Sequence, residues 1–222
     1  MLLAQEPFTF ARLQYPQLLS EESVKGYYTD YPTADDHLVA MFNRITRVKA
    51  VAKLVPLDKG IFHYPLLYIV EPEQLNLSTS QVLLLREYIE RGGMIWLDDF
   101  HGDDELSTVL NTMGRILPRE SIYEPPLDHE MFHVFFDIPR VEQVLNDSIA
   151  FCAARGECDP WENGPSGKQP HIYLMHGTSV IMVYNSDTGD GIEFANDPAY
   201  PQWMAAYAMR LATNIVIYSL SH

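Results

Sequence analysis

The sequence predicts an α/β fold, a three-layer and mainly parallel sheet with helices on both faces. Three observations carry the expectation. Strand-like and helix-like segments alternate through the first half of the chain, the order that parallel sheets require. Residues 65–70 (PLLYIV) are apolar throughout, as a strand covered on both faces must be. The stretch GGMIWLDDFHG, 92–102, ends a helix with glycines and crosses a buried layer with Met94 to Leu97. It then delivers Asp98, Asp99 and His101 to the surface.

Residues 8–15 read as the first strand. Thr33 opens a helix, with Asp36 completing a capping-box pattern. Leu38, Met41, Phe42, Ile45 and Val48 follow at spacings of three and four, one apolar helical face. Strands are expected around 48–55 and at 65–70. Ser78 with Gln81 repeats the capping pattern, and Val82, Leu85 and Ile89 form the next stripe, stopped by Gly92 and Gly93. The strand at 94–98 leads into a helix from about 103 to 113. Residues 117–139 are proline-rich and irregular, and with the 146–170 loop they make an insertion around 117–170 in a single α/β domain spanning 8–222. Residues 171–175 and 179–184 flank His176-Gly177-Thr178 as a hairpin. Residues 201–220 form a helix with Met204, Tyr207, Leu211, Ile215 and Tyr218 on one face.

Charge narrows the classes of partner. The chain holds 30 acidic and 15 basic residues, a formal net charge of −15. Such a surface repels phosphate backbones and anionic lipid, which excludes nucleic-acid and membrane-surface binding as leading readings. No apolar run approaches the roughly 20 residues of a membrane span. Leu2-Leu3-Ala4-Gln5 reads either as a frayed terminus or as the tail of a signal peptide. The latter makes 1–7 a remnant and places the chain in the periplasm or outside the cell. Cys152 and Cys158 close a small loop in an oxidising compartment and stay free thiols in the cytosol.

Three polar clusters are candidates for chemistry. Open α/β sheets place ligands outside the carboxyl ends of their strands, so Asp98, Asp99 and His101 are the candidate catalytic residues. Adjacent carboxylates ending an apolar strand repel one another unless a cation, proton or hydrogen bond offsets the charge. Asp103, Asp104 and Glu105 read as charges favouring a helix amino terminus. The second cluster is Asn185, Asp187, Asp190 and Glu193. It resembles a calcium loop but departs from the EF-hand pattern; the other reading is an Asx-type turn in which Gly189 and Gly191 supply positive φ. Oxygen ligands from both clusters suit Mg²⁺, Ca²⁺ or Mn²⁺, and His101 or His129 tilts the choice towards Zn²⁺ or Mn²⁺. The third is Asp128 and His129, with Tyr27, Tyr28, Asp30 and Tyr31 as companions. Those tyrosines either pack as half-buried rings or line a surface for a polar ligand.

The runs FTFARLQY, YTDYPTADDHL, PLLYIVEP, RGGMIWLDDFHG, PPLDHEMF, NSDTGDGIE and LATNIVIYSLSH, in that order, resemble the bacterial domain of unknown function numbered 4159. The likeness runs from Phe8 to His222. The family is similar to the class I glutamine amidotransferase-like superfamily, which implies a flavodoxin-like three-layer fold. Many members are exported or attached to larger envelope proteins, so the resemblance implies an envelope setting. The superfamily's nucleophilic cysteine would stand in the turn 98–102, which here holds no cysteine or serine. Two functional readings remain. One is an envelope domain binding a small polar ligand or a divalent cation at the carboxyl edge of the sheet, with an interaction module that docks an envelope protein by its sheet edge or terminal helix as a lesser variant. The other is a hydrolase in which a bound metal activates water or His101 acts as general base.

Overall fold

Six strands form one sheet in the order β2-β1-β3-β4-β6-β5. They are β1 (Phe8–Gln14), β2 (Ala50–Pro56), β3 (Leu66–Val70), β4 (Met94–Asp98), β5 (His171–Met175) and β6 (Val180–Tyr184). β5 alone runs antiparallel, paired to β6 as a hairpin; the remaining neighbours are parallel. The computed structural model describes residues 7–18 and 26–222. The export-signal remnant expected at 1–7 therefore lies outside the described residues apart from Pro7. Among those described, no helix is long and apolar enough to cross a membrane.

Successive residues of a strand face opposite sides of the sheet, and both sides are covered. Phe10, Tyr68 and Trp96 pack under α1 (Thr33–Ile45) and α6 (Gln202–Ser221). Ala11, Leu67, Ile69, Ile95 and Leu97 pack under α2 (Thr79–Glu90) and α3 (Gly102–Ile116). β3 and β4 are buried at every position, which explains why β3 and residues 94–97 of β4 are apolar. Each Leu, Ile or Val so buried contributes about 1.5–3 kcal/mol of transfer free energy. The three-layer α/β architecture expected from the sequence is the one observed.

Three local expectations need correction. Residue Thr33 is the first helical residue of α1, not its cap. Pro32 takes the cap position without a side-chain hydrogen bond, and the first turn is closed by Ala34 N–H donating to the Asp30 carbonyl. Val48 lies beyond the helix end and is exposed. The segment 185–193 is not an Asx-type turn with positive-φ glycines. Thr188–Glu193 is a short helix, α5, capped by Asp187, whose Oδ1 accepts from Asp190 N–H at 2.7 Å. Its glycines are required by space. A Cβ on Gly189 would stand 2.0 Å from Asp30 Oδ2, and one on Gly191 would stand 2.7 Å from Ala208 Cβ.

The irregular insertion holds one α-helix, α4 (Asp147–Ala154), and a disulfide joins Cys152 within it to Cys158 beyond its end. Its loops fold back over the carboxyl edge of the sheet, where Gln143 Nε2 donates to the Asn185 carbonyl at 3.0 Å.

Candidate functional site

Because β1, β3, β4 and β6 are parallel, the segments that follow them leave from one edge. They surround a cleft of about 540 Å³. The segment after β1 supplies Asp30, that after β3 Glu71 and Glu73, that after β4 Asp99, His101 and Glu105, and that after β6 Asp187, Asp190 and Glu193. The insertion adds Asn146, Asp147, Glu162 and Asn163. Among the described residues, no lysine or arginine lines the cleft.

Two neighbouring carboxylates at the end of β4 have separate roles. Asp98 lies on the same face of the strand as Trp96 and is fully buried; its Oδ2 accepts from the Tyr68 hydroxyl at 2.8 Å and from Gly189 N–H at 3.1 Å. Burial pushes its carboxyl up to about 7, against the hydrogen bonds it accepts from Tyr68 and Gly189. Asp98 thus ties β4 to α5 and does not line the cleft. Asp99 does line it. Its backbone turns into the left-handed region, φ 58°, and its carboxylate faces the cleft. Burial, then the charges of Asp30, Glu71 and Glu162, hold its pKa well above the usual carboxylate range.

His101 Nε2 stands 3.2 Å from Asp99 Oδ1 and 3.5 Å from Glu162 Oε1. Burial lowers its pKa, with the Glu162 charge pulling the other way. Its Nδ1 is buried with no hydrogen-bond partner among the described residues. Glu105 and Asn163 fix the backbone here, Glu105 Oε2 accepting from His101 N–H at 2.6 Å and Asn163 Nδ2 donating to the His101 carbonyl at 2.8 Å.

The densest part of the cleft is carboxylate. One oxygen from each of Asp30, Asp99 and Asp187 lies within 4.8 Å of the others, and the same holds for Asp30, Asp190 and Glu193. Asp30 is only 6% exposed, and its Oδ2 is buried without a hydrogen-bond donor among the described residues. Burial raises its pKa strongly, and the adjacent Asp190 charge raises it further. Asp187 is raised by burial and then by Asp190 and Asp99. Asp190 rises with burial to about 6. Beneath Asp30 lies Arg12, fully buried, which donates from Nε to Asp35 Oδ2 at 2.9 Å and from Nη1 to the Thr29 carbonyl at 2.8 Å. It anchors the loop that carries Asp30.

The first two predicted clusters meet in this cleft. Asn185 supports it from below, its Oδ1 accepting from Gly102 N–H at 2.8 Å. The third cluster does not join them. Asp128 is exposed, and the His129 ring packs 6.0 Å from Tyr218 near the end of α6. Tyr218 in turn hydrogen-bonds Thr178 in the turn before β6, which places Asp128 and His129 at the opposite edge of the sheet. Tyr31 is half-buried beside the Arg12 guanidinium and Tyr28, below the cleft rim. Asp30, assigned from sequence to the third cluster, belongs to the first two. Glu71, Glu73, Glu162 and Arg12 were not anticipated. Glu71 and Glu73 directly follow an apolar strand, the signal that singled out Asp98; Glu162 sits in the irregular insertion and carries no such signal.

Fold and cleft define a flavodoxin-like α/β protein with a carboxylate-lined site at the carboxyl edge of its sheet. The chain belongs to the family described as Domain of unknown function (DUF4159), which matches residues 9–220. No curated protein matches its sequence.

Proposed function

We propose that the cleft is a divalent-cation site and that the chain is a cation-dependent binding domain. It would be built on an amidotransferase-like scaffold that lacks the nucleophilic cysteine. The observation that carries this reading is the triad of buried Asp30 and Asp187 with half-buried Asp99, contributed by three separate segments within 4.8 Å. Carboxylates taken out of water are costly unless a positive charge or proton offsets them, and among the described residues no basic side chain lines the cleft to do so. The donors are oxygens, which suit Mg²⁺, Mn²⁺ or Ca²⁺. His101 is in neither carboxylate group and His129 is at the other edge, so the donor set disfavours Zn²⁺. An exported setting accords with the Cys152–Cys158 disulfide.

The test is a thermal-shift scan of the chelated protein against Mg²⁺, Ca²⁺, Mn²⁺ and Zn²⁺. An ion at about 100 times its dissociation constant stabilises the native state by about 2.7 kcal/mol, which for a chain of this size raises Tm by roughly 5–10 °C. The expected result is a rise with one or more of Mg²⁺, Mn²⁺ and Ca²⁺ that is lost in Asp99→Asn and in Asp187→Asn. No rise with any ion overturns the reading.

A further inference from the structure

The two carboxylate groups share one residue. Asp30 belongs both to the triad with Asp99 and Asp187 and to the triad with Asp190 and Glu193. From this juxtaposition we infer that the cleft holds a pair of divalent cations bridged by the Asp30 carboxylate, an inference that rests on the cation reading above.

Four features of the structure support a bridged pair over a single ion. Asp30 Oδ2 is buried and has no hydrogen-bond partner among the described residues, although the side chain lines the cleft. Two of its flanking ligands are each prepositioned by a backbone amide. Asp187 Oδ1 accepts from Asp190 N–H at 2.7 Å, and Asp190 Oδ2 accepts from Asp147 N–H at 2.6 Å. That leaves the second oxygen of Asp187 to an ion, while the Asp190 side chain also hydrogen-bonds Asp30, a contact whose shared proton an ion between them displaces. Gly189 supplies the third feature, since any side chain there would collide with Asp30 Oδ2 at 2.0 Å. The fourth is charge: one divalent ion leaves much of this cleft's anionic charge uncompensated, whereas two ions about 3.5–4 Å apart are the spacing that bridging carboxylates support.

The experiment counts Mn²⁺ on the chelated full chain by equilibrium dialysis, with electron paramagnetic resonance on the same samples. Wild type is expected to bind about two ions per chain, with the six-line signal of isolated Mn²⁺ broadened by spin coupling. Glu193→Gln is expected to keep one ion and recover the isolated signal. Asp30→Asn is expected to weaken both ions at least tenfold, with circular dichroism verifying that each variant is folded. A wild type that binds a single ion, matched by Glu193→Gln, overturns the bridged pair and leaves the single site standing. Two ions without spin coupling place the second elsewhere and also overturn it. No bound ion overturns both readings.

Discussion

Asp98 and Asp99 are adjacent and chemically alike, yet the fold places them in opposite circumstances. Strand alternation turns Asp98 towards Tyr68 and α5, where its Oδ2 holds two donors that would otherwise be buried unpaired. The left-handed backbone at Asp99 aims the next carboxylate into a cleft already crowded with like charge. Their removal should therefore change stability with opposite signs. Asp98→Ala strands the Tyr68 hydroxyl and the Gly189 amide and should cost about 2 kcal/mol, because an unsatisfied buried donor costs about 1–3 kcal/mol. Asp99→Asn keeps a side chain tolerant of positive φ and removes a repelled charge, so the chelated protein should become more stable. Urea unfolding of both chelated variants checks this, and a loss of stability in both would refute the division of roles. Both aspartates are legible in the sequence, at the end of an apolar strand. Which one faces the cleft is not, because that depends on which helical layer covers each face of β4. Asp30 shows the same limit. Its place after β1 marks it for the carboxyl edge, but a neighbourhood of tyrosines gives no sign of which cluster it completes.

At the scale of the element, one sequence pattern has two outcomes. Ser78 and Gln81 form a full capping box at α2, the Ser78 side chain accepting from Gln81 N–H and Gln81 Oε1 accepting from Ser78 N–H at 3.0 Å. Thr33 and Asp36 form none at α1, because Pro32 holds the cap position and Asp30 closes the first turn through its carbonyl. Ser78→Ala should accordingly cost about 1 kcal/mol, whereas Thr33→Ala should stay within about 0.5 kcal/mol. Equal losses in urea titrations would refute the assignment of the caps. Periodicity located both helices because an apolar stripe spans many residues. The cap is decided by one or two residues and their backbone, and it was legible only where no proline intervened. Helix α5 escaped the sequence reading for a related reason. Six residues are too few for a period, and its two glycines suggest a turn until their contacts with Asp30 and Ala208 are seen.

For the molecule as a whole, the acidic balance is concentrated where the sheet ends, and this gives stability a distinctive dependence on pH. Burial above all raises Asp190 to about 6, Asp98 to about 7 and Glu73 to about 8. A carboxyl raised in the native state binds its proton more tightly there than in the unfolded chain, so between those pKa values the native state holds more protons. Stability then falls as pH rises. The contribution is fully present below the unfolded values near pH 4 and is lost by about pH 8. His101, with its pKa lowered by burial, acts in the other sense, losing stability as pH falls below its unfolded value of 6.5. With His129, which burial also lowers, it makes two groups against several carboxylates. The chelated protein should therefore melt several degrees lower at about pH 8 than at about pH 5. On the proposed cation reading, divalent ions take over the role of the protons, so saturating Mn²⁺ should abolish or reverse that slope. Glu73→Gln should flatten the upper end of the chelated profile, because burial and the Glu105 charge are what raise it. A chelated protein equally stable at both pH values, or more stable at the higher one, would show that the cleft carboxylates are solvated and that the charge needs no ion to balance it.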